Sequence, residues 1–417
     1  MKAQKVKFGD FVEVGKDNEY EPIKNGLTNY VAGEHLESKL LHITRFGDIE
    51  KSKDVIGSAF HRKFLKGQVL FGTRRAYLRK TGIVTFDGIC SNTTLVLNSK
   101  QNGLVDGLLP FIVRLEKFTE HAVKRSVGST NPYVRWRDLA DFEFVLPSEK
   151  EQLQIKETLW SIQNSIDCLD KLIQKTQKYY VSKRESLLTK GIGHKNFKKI
   201  PWLYEKEIEI PKSWENKTFD ELFEFLITGS NPRSDLEDTG DIQYIHYGDI
   251  HQKWKYFLDC DSDEIPYISK TKVKNLPLLK EDDIVLVDAS EDYEGSGASV
   301  LLKNVKNKKI VAGLHTIALR NIEESVSLDF QAFLTSMPFV KNQIISYVNG
   351  ISVYGLSKKD LKKIKIPLPS LPEQEKISQI LLSIYKQILE QQSHLTNLYS
   401  MQNVILNSKF ASRENIN

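Results

Sequence analysis

The sequence predicts an α+β chain: two tandem β-rich domains, separated and followed by long helices that pair as an antiparallel coiled coil with pseudo-two-fold symmetry. Three observations carry this expectation. A long segment recurs at a constant offset of 222 residues. Each copy holds short β-branched runs bounded by turn residues. Each copy then closes on a long stretch without glycine or proline, whose apolar residues follow a 4-3 rhythm.

The repeat sets the domain organisation, because self-similarity at a long period marks a duplicated structural unit. "GSTNPYVRWRDLADFEFVLPSEKEQLQI" begins at Gly128, and "GISVYGLSKKDLKKIKIPLPSLPEQEKI" begins at Gly350; the two align without a gap. Asp138 meets Asp360, Leu139 meets Leu361, Pro147 meets Pro369, Gln152 meets Gln374 and Ile155 meets Ile377. Upstream, "TLVL" at Thr94 meets "TIAL" at Thr316 at the same offset. "FGDI" at Phe46 is expected to correspond to "YGDI" at Tyr247, with insertions between.

Residues 1–146 form the first β-rich domain. Its strands are "KGQVLFG", "TGIVTF" and "TTLVLN". Residues 147–191 form the first long helix, which starts after Pro147 and ends at Gly191, a residue suited to a left-handed C-cap. Residues 192–210, Gly-, Lys- and Pro-punctuated, read as a connector. Residues 211–368 form the second β-rich domain, opened by "IPKSW" and containing "DDIVLV" and "KKIVAG". Residues 369–412 form the second long helix. Pro369 and Pro372 lie at or before its first turn, where a missing N–H costs little. Glu373 and Glu375 suit the positive end of its dipole.

The helix-pairing stripe runs Ile155, Leu159, Ile162, Ile166, Leu169, Ile173, Thr176, Tyr180 in the first helix. In the second it runs Ile377, Leu381, Ile384, Ile388, Gln391, Leu395, Leu398, Gln402. So long and narrow a stripe needs a partner of equal length, and the other copy supplies one. The chain crosses a whole domain between the helices, so antiparallel pairing is the simplest arrangement. At 1.5 Å per residue each helix makes a rod of roughly 60 Å. Gln391 and Gln402 are polar seam positions suited to fixing register.

Bulk properties exclude several classes. At 417 residues the chain exceeds one ordinary core. Its 40% hydrophobic and 27% charged content is that of a globular protein. No apolar run approaches the roughly 20 residues of a membrane helix, and "MKAQKVKFGDFVEV" has no apolar core of a secretory signal. Cys90, Cys168 and Cys260 are scattered, which predicts a reducing, cytoplasmic setting without disulfides or zinc. There is no phosphate-binding GxxxxGK[ST] loop, no HExxH, no GxSxG and no dinucleotide fingerprint. "EGSGAS" at Glu294 reads as a hairpin and "NPYV" at Asn131 as a turn. His246 and His251 lack the partners a metal site needs.

Basic residues with interleaved aromatics are the informative signal. "FGTRRAYLRK" places Arg74, Arg75, Arg79 and Lys80 around Tyr77, past a predicted strand end. Arginine grips phosphate or pairs bidentately with guanine. Arg45, Arg62, Lys63, Lys124, Arg125, Arg135 and Arg137 extend this basic set. Residues 1–146 carry 23 basic and 17 acidic side chains, residues 211–367 carry 20 and 24, and the whole chain is +5. The second domain offers Arg233, His246, Tyr247, Lys270 and Lys272, and a polar loop with Asp288, Ser290, Asp292 and Tyr293. Acidic side chains there can accept from a cytosine amino group.

These phrases together resemble the DNA-specificity subunits of type I restriction–modification systems. "LPEQEKI" at Leu371, "IPKSW" at Ile210, "TGSNP" at Thr228 and "DASEDYEGSG" at Asp288 carry the resemblance, which covers essentially the whole chain. It implies that each β-rich domain is a target-recognition domain for one half of a bipartite, asymmetric DNA site. It implies that the paired helices set the spacer and dock methyltransferase subunits, two in number, with restriction/translocase subunits joining through the complex. Catalysis, S-adenosylmethionine, ATP and Mg would then reside on those partners, and this chain would be non-catalytic, without cofactor or metal. Two other classes bear comparison: a methyltransferase carrying its own recognition domains lacks its motifs here, whereas the mild net charge leaves a coiled-coil adaptor without DNA affinity open. Half-sites on one face of duplex DNA lie about 34 Å apart per helical turn. Lengthening a helix by one heptad is therefore expected to change the gap in the selected DNA while both half-sites persist, read by sequencing of bound duplexes.

Overall fold

The computed structural model describes residues 4–411, except positions 39, 53, 55, 101, 204–205, 294, 349 and 351–353. Positions 1 and 412, expected to bound the first domain and the last helix, and Glu294 of the "EGSGAS" hairpin, lie outside the described residues. The chain divides into two compact units, Met1–Ile173 with Glu390–Asn417, and Gln174–Leu389. Each unit therefore joins one β-rich domain to portions of both long helices.

The β-rich runs form strands where their β-branched residues alternate into two packed layers. In the first unit a five-stranded sheet has the order Val12–Val14, Thr94–Ser99, Val69–Gly72, Thr81–Val84, His42–Ile43. In the second unit the order is Phe223–Leu226, Thr316–Asn321, Ile284–Val287, Ser299–Lys303, Tyr256–Asp259. In both, the last pair is parallel and the others are antiparallel. A second sheet in each unit also contains one parallel pair, central in the first unit and at the edge in the second: Asn29–Val31 with Gly88–Ser91, and Ile242–Ile245 with Ile310–Ala312. Its far edge differs. The first unit adds Phe60–Phe64 beside Gly88–Ser91, whereas the second adds Leu236–Glu237 beside Tyr267–Ile268. The first and last strands of each domain pair with each other, Gln4–Lys7 with Glu143–Leu146 and Glu215–Thr218 with Lys365–Leu368, so each domain is closed before its helix begins.

One upstream correspondence is corrected by the topology. Gly47–Asp48 is an edge strand against Asn29–Val31, while Tyr247–Gln252 is a short helix. "FGDI" and "YGDI" therefore occupy different places. The parallel pairs instead align Tyr30 with Tyr244, and hence Gly33 with Tyr247. The connector also holds more order than its composition predicts. Phe197–Pro201 and Glu207–Pro211 make an antiparallel hairpin, a pattern the alternation in "KEIEIP" encodes.

The long helices cover Glu149–Lys190 and Leu371–Phe410. Gly191 follows the first at φ +64, the left-handed conformation that glycine adopts without steric cost. In the first unit Ile155 and Leu159 share a core with Leu406 and Phe410, and Gln402 Nε2 donates to Gln163 Oε1 at 3.1 Å. In the second unit Tyr180, Leu187 and Leu188 share a core with Ile377, Leu381 and Ile388, and the rings of Tyr180 and Tyr385 lie 6.0 Å apart. In each unit the numbers rise along one helix as they fall along the other, so the helices are antiparallel. Ile162, Ile166, Ile173, Gln391 and Gln402 are buried; Ile384 and Leu395 are half-buried. Among the described residues no helix is long and apolar enough to cross a membrane.

A glutamine joins domain and helix in both units. Gln152 Oε1 accepts from the Val105 N–H at 2.9 Å, and its Nε2 donates to the carbonyls of Gly103 (2.9 Å) and Pro147 (3.0 Å). Gln374 does the same with Ser327 N–H, Ser325 and Pro369, each at 2.8 Å. Every partner is displaced by the repeat offset. Nearby, the buried Trp214 of "IPKSW" donates to Glu373 Oε2 at 3.1 Å, while Glu373 Oε1 accepts from Ile192 N–H and His194 Nε2. Gln374→Leu keeps the volume but strands the buried Pro369 carbonyl and the partly buried Ser327 N–H and Ser325 carbonyl. It is expected to cost about 3 kcal/mol of stability, since each unsatisfied buried group costs about 1–3 kcal/mol. Gln387→Leu on the exposed side of the same helix should stay within about 0.5 kcal/mol; urea denaturation compares the two.

Candidate nucleic-acid interface

The same backbone frame presents the candidate loops in both units. In the first, the chain leaves strand Val69–Gly72 at Thr73. Its N–H donates to the Thr93 carbonyl at 3.0 Å, and its own carbonyl accepts from Val134 N–H at 3.1 Å. Arg75 N–H donates to the Pro132 carbonyl at 2.7 Å, tying the turn to the "GSTNP" loop. In the second unit the chain leaves Ile284–Val287 at Asp288. Its N–H donates to the His315 carbonyl at 3.1 Å, and its carbonyl accepts from Leu356 N–H at 2.7 Å. Ala289–Ser290 then pairs with Tyr354–Gly355. These bonds superpose Thr73 on Asp288, Thr93 on His315, and Arg74 and Arg75 on Ala289 and Ser290. "RRAYL" and "ASEDY" are thus one loop with two compositions.

In the first unit the frame brings Arg74, Arg75 and Tyr77 together. Arg75 and Arg79 flank a tight 3-10 turn, Ala76–Leu78, with φ of 51 and 50. Arg74 and Arg75 are exposed and have no ion-pair partner among the described residues, and Tyr77 is 54% exposed. Arg79 and Lys80 are engaged within the domain: Arg79 pairs with Glu116, and Lys80 Nζ donates to the Gly33 carbonyl at 2.6 Å. They anchor the turn rather than extend its free charge. Tyr133, which the basic pattern does not single out, lies against this turn through its bridge to Arg74, with Arg135 6.0 Å over its ring. Its signal in the sequence is its place in "NPYVRWR", where aromatic and arginine alternate.

The other basic candidates sit elsewhere. Arg62 and Lys63 are half-buried on strand Phe60–Phe64. Arg45 is exposed and pairs with Glu37 at 3.5 Å. Lys124 and Arg125 end and follow the helix Glu116–Lys124 and line a cleft with Lys5, Lys7, Asp141 and Glu143. Lys5–Glu143 (2.8 Å) and Lys7–Asp141 (3.0 Å) already pair there, so charge of both signs lines this cleft.

In the second unit several candidates serve the fold. Arg233 pairs with the buried Asp249 at 3.1 Å, joined by Lys253 at 3.2 Å, so its charge neutralises a carboxylate taken out of water. His246 is buried, its Nδ1 accepting from Gly248 N–H at 3.2 Å; burial, then the nearby Arg233, hold its pKa below the ordinary histidine value. Lys272 pairs with Asp235 at 2.8 Å and, with Asn231, holds that carboxyl below its usual range, while Lys270 stands exposed in the same short turn. Asp292 Oδ1 accepts from Gly295 N–H, which shapes the loop. Tyr293 is 47% exposed and its ring lies 4.0 Å from that of Tyr354.

The remaining groups converge on one open cleft of about 460 Å³. Tyr247, His251, Gln252, Ser290, Asp292 and His315 line it. Asp288 faces His315, Oδ1 to Nδ1 at 3.3 Å. Burial pushes the Asp288 carboxyl up, with His315 and Lys358 opposing. His251, Gln252 and His315 are the members the sequence pattern does not select; only the alignment of "TLVL" with "TIAL" marks His315, one position before it. The cysteines are not part of either surface: Cys90 and Cys260 are buried, which pushes both thiols up to about 12.

Two copies of the type I restriction modification DNA specificity domain match the chain, at residues 2–178 and 211–396. The chain belongs to that family. Among its relatives, the MjaVIII type I restriction enzyme specificity subunit of Methanocaldococcus jannaschii is 26% identical over 400 residues, covering 91% of this chain and 85% of that protein. The MjaIX specificity subunit of the same organism is 23% identical, with 88% and 82% covered. The crystal structure of a type I restriction–modification S subunit from M. genitalium shares the fold, with a TM-score of 0.58 at 15% identity, covering 99% of this chain and 97% of that one. A chain from a structural study of assembly and conformational transition in a type I system gives 0.57 at 18% identity, with 98% and 97% covered.

Removing the two free guanidinium groups, Arg74→Ala with Arg75→Ala, is expected to weaken binding by about 1–3 kcal/mol per arginine at one half-site and leave the other half-site's preferences intact. Competition binding with duplexes altered in one half-site at a time reads this out.

Proposed function

We propose that this chain is the sequence-reading subunit of a type I restriction–modification complex, each β-rich domain recognising one half of a bipartite, asymmetric duplex site. The observation that carries this is the pair of superposable loops. One backbone frame is used twice, with arginines and tyrosine at one tip and serine, aspartate and histidine at the other. A frame conserved within the chain while its tips diverge is what reading two different half-sites requires, because base edges are discriminated by side-chain donors and acceptors.

The long helices support docking of partners. In the first unit Leu153, Met401 and Val404 are exposed on them, and in the second Tyr179, Val181 and Leu389. Apolar residues on a helix face away from its own seam favour a protein partner. The partners that membership of the family implies are methyltransferase subunits, two in this proposal, with restriction/translocase subunits joining the assembly. S-adenosylmethionine, ATP and Mg, and the chemistry of methylation and cleavage, belong to those subunits, leaving this chain non-catalytic and working on DNA in the cytoplasm. The test is selection of bound duplexes from a random pool by the assembled complex. A split motif with a constant gap is expected. Replacing residues 211–367 by the matching domain of a relative should change one half of that motif alone; change in both halves, or no enrichment at any salt concentration, would refute the reading.

A further inference from the structure

His315 stands out among the cleft residues because the fold does not need it. The first unit builds the same strand exits and the same backbone bonds with Thr93 at this position, Thr73 in place of Asp288 and Gly33 in place of Tyr247. The trio is therefore an addition to a shared frame. His315 is also held at φ 55, in the left-handed region that non-glycine residues rarely adopt. Its ring is edge-on to Tyr247, 5.2 Å between centroids, and its side chain is 48% exposed at the cleft. Residues kept in such conformations cluster where a protein meets its ligand.

We infer that His315 is a specificity-determining residue of the second recognition domain, its Nε2 meeting a base edge while Asp288 acts as the positioning residue for the ring. This rests on the reading of the chain as a DNA-specificity subunit. The Asp288 carboxylate at Nδ1 selects the tautomer with the proton on that nitrogen. The lone pair is then left on Nε2, which accepts a hydrogen bond. In the major groove the donors are the amino groups of adenine and cytosine, whereas guanine and thymine present acceptors at the matching places. His315 thus separates amino-bearing from keto-bearing bases on one strand. Tyr247, its ring plane at 84° to the imidazole, packs against it as well, so two contacts favour one direction of Nε2 before DNA arrives.

The test uses the full chain assembled with its methyltransferase subunits and a pool of duplexes randomised across the site. His315→Asn tolerates the left-handed backbone but withdraws the imidazole; Asp288→Asn keeps the volume and removes the charge. With His315→Asn, discrimination of adenine or cytosine from guanine or thymine should fall roughly five- to a hundredfold at one position of one half-site. All other positions should keep their weights. Asp288→Asn should weaken preference at the same position and nowhere else, which a merely structural role would not do. Unchanged weights in both variants, or equal weakening at every position, would overturn the assignment while the wild-type motif left the parent reading standing. Absence of any motif with the wild-type complex would remove both.

Discussion

The buried glutamine at each helix start is the interaction on which the architecture depends. Gln152 and Gln374 each satisfy one N–H and two carbonyls that come from two separate places: a loop after the five-stranded sheet, and the proline between the exit strand and the helix. The bonds to Pro147 and Pro369 are buried and those to the loop partly so, and an apolar residue would leave all three groups unpaired at a cost that is a sizeable part of a domain's stability. The amide has both an acceptor and two donors, which is what the three groups demand. It fixes where the helix leaves the domain, and it does so twice with the same geometry.

The same division between frame and tip explains the loops. Strand exits at Thr73 and Asp288 are set by backbone bonds that are indifferent to side chain, so the side chains beyond them are free to vary. In the first unit they are guanidinium groups with no internal partner among the described residues. In the second, several cations are tied to carboxylates: Arg233 and Lys253 with Asp249, Lys272 with Asp235, Lys303 with Asp282. What remains at its cleft are hydrogen-bonding groups of modest charge, suited to base edges more than to phosphate.

The helix seam mixes apolar and polar contacts to the same end. Leucine and isoleucine layers give the burial, and they carry little information about register. The Gln163–Gln402 bond supplies it, since a shifted pairing would bury two amides without partners. At the other start, Glu373 gathers Trp214, His194 and the chain leaving Gly191, which brings the connector back to the second domain's first strands.

The sequence alone determined the duplication, the strand runs, both helix spans and the polar seam positions. All of these are local or periodic: proline and glycine act on their own neighbours, and a 4-3 stripe is legible in any register. Gln152 and Gln374 could be aligned from sequence together with the proline carbonyls five residues before them, and yet their loop partners could not, because those lie dozens of residues away and are joined only by folding. The "FGDI" and "YGDI" match failed for a related reason, since four similar residues carry no information about which sheet edge receives them. Arg74, Arg75 and Tyr77 were legible as a basic tip, whereas the engagement of Arg79, Arg233 and Lys272 was not. Composition counts charges, and only the tertiary structure decides which of them already have a partner. His251 and His315 belong with the latter: two scattered histidines become one cleft because parallel and antiparallel pairings bring the ends of three strands to the same edge.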